Sequence, residues 1–170
     1  MTRYVALLRG VNVGGTGKLP MSQLQAICRG AGFTRVETYI ASGNVVFESR
    51  AAPTRVRAAL EDRVRAYAGK PVAVIVRSAP EMAAVLRANP FPKAEPRHTY
   101  AIFLNGRPPA DALDQVSGRQ DEELRLGARE IFVLYPSGMG RSKLRIPAAQ
   151  SGTARNMNTV AKLAEIASKP

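Results

Sequence analysis

The chain has no tryptophan, one cysteine and one histidine among its 170 residues, and its acidic side chains are outnumbered by basic ones, 13 to 25. With Cys28 alone no intrachain disulfide can form, and zinc sites built on cysteine and histidine spacing are excluded. No apolar run approaches the length of a membrane span, so no membrane association is expected. The first fifteen residues have too short an apolar core and no cleavage pattern for a secretory signal. Together with the lone thiol, this gives the expectation of a cytoplasmic protein.

What is present points to an ordered protein. Apolar residues make up 45% of the chain and charged ones 22%, a globular composition. The formal net charge is +12, a field that attracts polyanions, although 19 of the 25 basic residues are arginine and the chain is rich in alanine, as codon bias also produces. The charge is uneven. Residues 1–77 hold twelve basic and four acidic side chains, residues 78–136 seven and eight, and residues 137–170 six and one.

Hydrophobic periodicity gives an order of elements. An apolar strand at 4–8 leads into a glycine-bearing loop at 11–19 and a helix from about Pro20 with Leu24, Ile27 and Cys28 on one face. Two strands near 35–40 and 44–48 flank a short connection, and a helix over 53–68 places Val56, Leu60, Val64 and Tyr67 at core spacing. A β-branched strand at 72–76 completes β-α-β-β-α-β, the ferredoxin-like unit. A helix near 80–88 and a proline-rich stretch follow. Then come a strand at 99–104, a helix at 108–116, strands at 123–126 and 130–135, and a last helix carrying Val160, Leu163, Ala164 and Ala167. The expected fold class is therefore α+β, with tandem ferredoxin-like (α/β-plait) halves and antiparallel sheets. Its expected parts are residues 1–78, a helix and linker at 79–97, and a second half at 98–170 with a basic C-terminal helix. No sequence repeat accompanies the repeated order.

In such a unit the loop leaving the first strand and the turn between the second and third lie at one end of the sheet. Arg9, Asn12 and the loop glycines, Gly14 and Gly15 among them, are thus expected to face Ser42, Gly43 and Asn44, with Lys18 supplying further charge. Glycines let backbone N–H groups approach an anion, and the following helix N-terminus favours one. The loop is not a Walker A motif: counting back from Gly17 and Lys18, the first position is Asn12, and Leu19 follows the lysine. Its glycines, at 10, 14, 15 and 17, do not make G-x-G-x-x-G either. A backbone-shaping loop and a plain turn are the alternative readings of these segments. The aromatic platform of an RNA-recognition module is largely missing, since the candidate strands offer Tyr4 and Phe47. In the tail, Ser142 and Lys143 stand in a small, basic stretch, and Arg155 and Asn156 precede the last helix, with Asn156 a natural N-cap. His98 has no evident catalytic partner, Cys28 reads as a core residue, and residues 121–123 read as a solvated acidic turn.

The segments YVALLRGVNVGG (4–15), SGNVVF (42–47), GRSKL (140–144) and TARNMNTV (153–160) resemble the signature stretches of a bacterial family, domain of unknown function 1697. The resemblance implies a tandem α/β-plait fold and carries no activity with it. Met157 stands where the family usually has tryptophan, and residues 145–152 are shorter than usual and lack a helix with its acidic residue. The expected function is binding of a phosphate-bearing ligand, a nucleotide or a nucleic-acid backbone, at the loop, the turn and the tail cations. The alternatives are a small-molecule enzyme with a cleft between the halves, and a protein-interaction module with an incidental basic surface. No cofactor or metal is implied, no catalytic residue can be nominated, and the oligomeric state is open.

Overall fold

A computed structural model describes residues 1–13 and 18–170. The elements run β1 (Thr2–Leu8), α1 (Met21–Gly30), β2 (Thr34–Thr38), β3 (Asn44–Ser49), α2 (Pro53–Ala68), β4 (Val74–Ser78) and α3 (Ala79–Arg87). They continue with β5 (Thr99–Phe103), β6 (Glu123–Leu126), β7 (Glu130–Leu134), β8 (Thr153–Asn156) and α4 (Met157–Ala167). The strands make two four-stranded antiparallel sheets, ordered β2-β3-β1-β4 and β6-β7-β5-β8. Both orders are those of a ferredoxin-like half, so the fold is α+β with two such halves in tandem. Contacts divide the chain into two compact units, Met1–Met82 with Leu163–Pro170, and Ala83–Lys162.

In the first unit the period of two along the strands sorts the core. Tyr4, Ala6 and Leu8 of β1, Val45 and Phe47 of β3, and Val74 and Val76 of β4 share one face and pack with Leu24, Ile27 and Cys28 of α1 and Val56, Leu60 and Val64 of α2. Phe33 stacks on Phe47, with centroids 4.4 Å apart and planes 6° from parallel. The intervening Val5, Leu7, Val46 and Ile75 are buried as well, which is why β1 reads as an unbroken apolar run. α2 starts with Pro53 at its first turn and ends at Gly69, where φ is 75°. Edge strand β2 carries a register shift between Thr34 and Glu37. There Arg35 donates to Glu48 at 2.5 Å and to the Pro170 carbonyl at 2.8 Å, so the chain terminus lies against this edge.

The second unit repeats the strands but not the helices. The expected helix at 108–116 is a single 3-10 turn, Ala112–Gln115. Val116 is extended, and Ser117 pairs with Arg145 in an isolated bridge, so a distant partner takes the backbone groups that another helical turn would need. Residues 153–156, expected as the approach to a helix, form β8 and pair with β5. Asn156 ends that strand and caps α4, accepting from the Thr159 amide at 2.9 Å. In the first unit Ser78 ends β4 and exchanges capping-box bonds with Glu81 at the start of α3. The registers correspond: Tyr4 faces Ser78 and Val5 faces Arg77, as Tyr100 faces Asn156 and Ala101 faces Arg155. In both halves the fourth strand closes with a buried arginine and a helix-capping residue.

Gly118 holds the bridged loops together. Its φ is 71°, and a Cβ there would lie 2.1 Å from the Lys143 carbonyl oxygen. Gly118→Ala is expected to cost at least about 2 kcal/mol of stability in urea denaturation. Gly106→Ala, with nothing within 4 Å, should leave the midpoint unchanged.

Candidate functional site

β1 hands the chain to the glycine-rich loop at a fixed place. Leu7 is opposite Asn44, the Leu8 amide donates to the Gly43 carbonyl at 2.9 Å, and the Arg9 amide donates to the Ala73 carbonyl at 3.0 Å. The loop exit therefore lies between the β2–β3 turn and the lead-in to β4. Gly43, at φ 90°, allows the approach: a Cβ there would meet Val11 Cγ2 at 2.6 Å. Gly14 and Gly15 lie outside the described residues.

Asn12 closes the loop. It takes a left-handed φ of 58°, which asparagine tolerates, and its Oδ1 accepts from the Leu19 amide at 2.6 Å. Its Nδ2 donates to the Leu19 carbonyl and the Ala41 carbonyl, both at 2.8 Å. One carboxamide thus ties both ends of the loop to the turn. Asn44 does the same for the turn: fully buried, it donates from Nδ2 to the Tyr39 carbonyl and to Ser42 Oγ, each at 2.9 Å. The turn carries Ile40 at φ 50°, a strained conformation for a β-branched residue. Asn12, Ser42 and Asn44 accordingly spend side-chain hydrogen bonds on the architecture of the loop and turn.

Beside the loop base is a cleft of about 250 Å³ lined by Gly10, Val11, Lys18, Leu19, Val64, Tyr67, Ala68, Lys70 and Val72. Of the expected site residues only Lys18 lines it. Lys70 comes from the α2–β4 connection, just past Gly69. Among the described residues neither ammonium has a hydrogen-bond or ion-pair partner, and the lining contains no carboxylate. Tyr67, expected in the core from its helical spacing, is 46% exposed, because the last turn of α2 extends past the packed part of the sheet. The only sequence signal for the pair was an aromatic ring three residues before a lysine at a glycine-terminated helix end. A neighbouring groove of about 340 Å³ includes Glu61 and Asp62, whose charge disfavours an anion.

The remaining expected site residues belong to the second unit. Ser142 donates from Oγ to the Glu122 carboxylate and accepts from the Leu144 amide at 3.1 Å. Glu122 Oε1 also accepts from the Gln120 amide at 2.6 Å. Glu122 is only 3% exposed, not part of a solvated turn as expected. The Ser142 hydroxyl, then the Gln120 amide, hold its pKa below the ordinary carboxylate value. Burial, followed by the charge of Glu122, pushes the Tyr135 phenol up to about 12. Lys143 is exposed. Arg155 is 7% exposed, donates to Thr153 Oγ1 at 2.7 Å and the Ala154 carbonyl at 3.0 Å, and has its pKa lowered to about 10 by burial. Asn156 is the α4 cap. Cys28 is buried, and desolvation raises its thiol to about 12, so it is no nucleophile at neutral pH.

The family described as "Protein of unknown function (DUF1697)" matches residues 1–132. The chain belongs to this family. The match takes in the glycine-rich loop, the 42–44 turn, Tyr67 and Lys70, and ends before Ser142, Lys143, Arg155 and Asn156. Among solved structures the chain is similar to the conserved bacterial protein SP0830 from Streptococcus pneumoniae, with 26% identity, 98% of each chain covered and a TM-score of 0.81. None of the curated proteins matches the sequence. Among the described residues no helix is long and apolar enough to cross a membrane.

Three outcomes are expected from this geometry. Asn12→Ala removes all three loop-closing bonds and should cost about 1–3 kcal/mol in thermal denaturation, with faster hydrogen exchange at the Leu19 amide. Glu122, its folded pKa lowered, contributes stability that is complete above the unfolded carboxylate pKa and is lost as pH falls through the folded one. Denaturation midpoints followed from about pH 6 to about pH 3 should fall less steeply in Glu122→Gln than in the parent. Ser142→Ala should move the Glu122 titration, read by carbon NMR, upward.

Proposed function

We propose that this chain binds a phosphate-bearing ligand, a nucleotide or the backbone of a nucleic acid, in the cleft at the base of the glycine-rich loop. The observation that carries the reading is the pair of ammonium groups, Lys18 and Lys70, that have no partner among the described residues and share a described lining without a carboxylate. Such a site attracts anions and offers charge-assisted hydrogen bonds to phosphate oxygens. The 42–44 turn serves as a brace, fixing the loop through Asn12 and the close approach at Gly43. The excess of basic residues over 1–77, twelve against four, adds a long-range field of the same sign. A bacterial cytoplasm suits this role, since phosphorylated metabolites are abundant there, the one thiol is free, and the chain is similar to a pneumococcal protein.

Isothermal titration with tripolyphosphate tests the reading. Binding should be seen at low ionic strength and fall steeply with added salt. Lys18→Ala and Lys70→Ala should each weaken it about tenfold, and the double variant should abolish it. Lys93→Ala, an exposed lysine of the other unit, should change nothing. Absence of binding at low salt, or equal binding by the double variant, overturns the proposal.

A further inference from the structure

The cleft holds more than a phosphate needs. Its lining divides into a cationic part, Lys18 and Lys70, and an apolar part, Val11, Leu19, Val64 and Val72, with the exposed ring of Tyr67. An inorganic anion would use the first part and leave most of the 250 Å³ to water. We infer that the ligand is a mononucleotide, its phosphate between Lys18 and Lys70 and its base against the ring of Tyr67; this rests on the phosphate-binding reading above.

Two observations favour a nucleotide over other phosphorylated compounds, and a third favours a single nucleotide over a strand. Tyr67 sits on the last turn of a sixteen-residue helix whose end is set by Gly69, so the ring is positioned by the fold and loses little freedom on binding. An exposed aromatic face beside cations is a stacking surface for a planar heterocycle, and such stacking is tolerant of base identity. The described lining has one aromatic residue. A strand of nucleic acid, by contrast, is bound along a groove with an aromatic for each of several bases. Among the described residues the lining side chains include no amide or carboxylate and no hydroxyl besides that of Tyr67. Base edges therefore meet few specifying groups, and purine and pyrimidine nucleotides should bind with similar affinity.

The test compares adenosine and uridine monophosphates, ribose 5-phosphate and tripolyphosphate on the intact chain at low salt. The nucleotides should bind about tenfold tighter than ribose 5-phosphate. Tyr67→Ala should reduce them to the level of the sugar phosphate while leaving the latter unchanged, and Tyr67→Phe should keep the preference. Circular dichroism confirms that both variants fold. Equal binding of nucleotides and ribose 5-phosphate, or a preference that survives Tyr67→Ala, overturns the stacking role and leaves the phosphate reading standing. No binding of any of the four compounds overturns both. Single-stranded oligonucleotides that bind far tighter than the monophosphates, and still do so after Tyr67→Ala, overturn the mononucleotide in favour of a polymer.

Discussion

Because β1 is hydrogen-bonded on both sides, with Leu7 opposite Asn44 of β3 and Leu8 opposite Val74 of β4, the chain leaving it has no freedom to choose its neighbours. The Leu8 and Arg9 amides are used at once, by the Gly43 and Ala73 carbonyls. This central pairing puts three connections at one end of the sheet: the glycine-rich loop, the β2–β3 turn and the α2–β4 link. Antiparallel order alone would bring them to the same end. The register decides that Val11 meets Gly43 and that the lead-in to β4, with Lys70 and Val72, borders the loop base. The cleft is a consequence of that register.

A division of labour follows among the polar residues near the loop. Buried polar groups in a folded chain are satisfied or costly, and the Asn12 and Asn44 carboxamides are satisfied by backbone groups of the loop and turn. Residues that look like ligand donors in a linear motif are therefore the joints of the scaffold. Among the described residues, the polar groups lining the cleft are the exposed cations Lys18 and Lys70 and the ring of Tyr67. The second unit applies the same economy: Ser142 is engaged by Glu122, and Asn156 by the first turn of α4.

The two halves illustrate how an architecture persists while its helices do not. Sheet order and the strand-closing sequence of buried arginine and capping residue occur in both, at Arg77 and Ser78 and at Arg155 and Asn156. The connections that are helical in the first half are 3-10 turns at Ala112–Gln115, Met139–Arg141 and Pro147–Ala149 in the second. There the core of Ile102, Leu104, Leu124, Ile131 and Val133 is packed by Leu113, Val116, Leu144 and Ile146 from those loops. Corresponding strand positions hold mostly different residues, as with Val5 and Ala101 or Ser78 and Asn156, so no repeat could be read along the chain.

Sequence alone determined what local periodicity encodes. The seven-element order of the first 87 residues, the bounds of α2, the strands β5, β6 and β7 of the second half and the cap at Asn156 are all written in spacings of two or three to four residues and in punctuating proline and glycine. The convergence of the loop and the 42–44 turn followed from the same element order. Tertiary structure decided the rest, because each remaining feature depends on partners far along the chain. β8 is a four-residue strand only because β5 offers its edge, and residues 112–116 stop short of a helix because Ser117 pairs with Arg145. Tyr67 keeps core spacing yet emerges where its helix passes the packed sheet, and Glu122 is buried because Ser142 comes to it. Composition and order located the end of the sheet where the loop and the turn converge; the register of β1 chose which side chains line the cleft there.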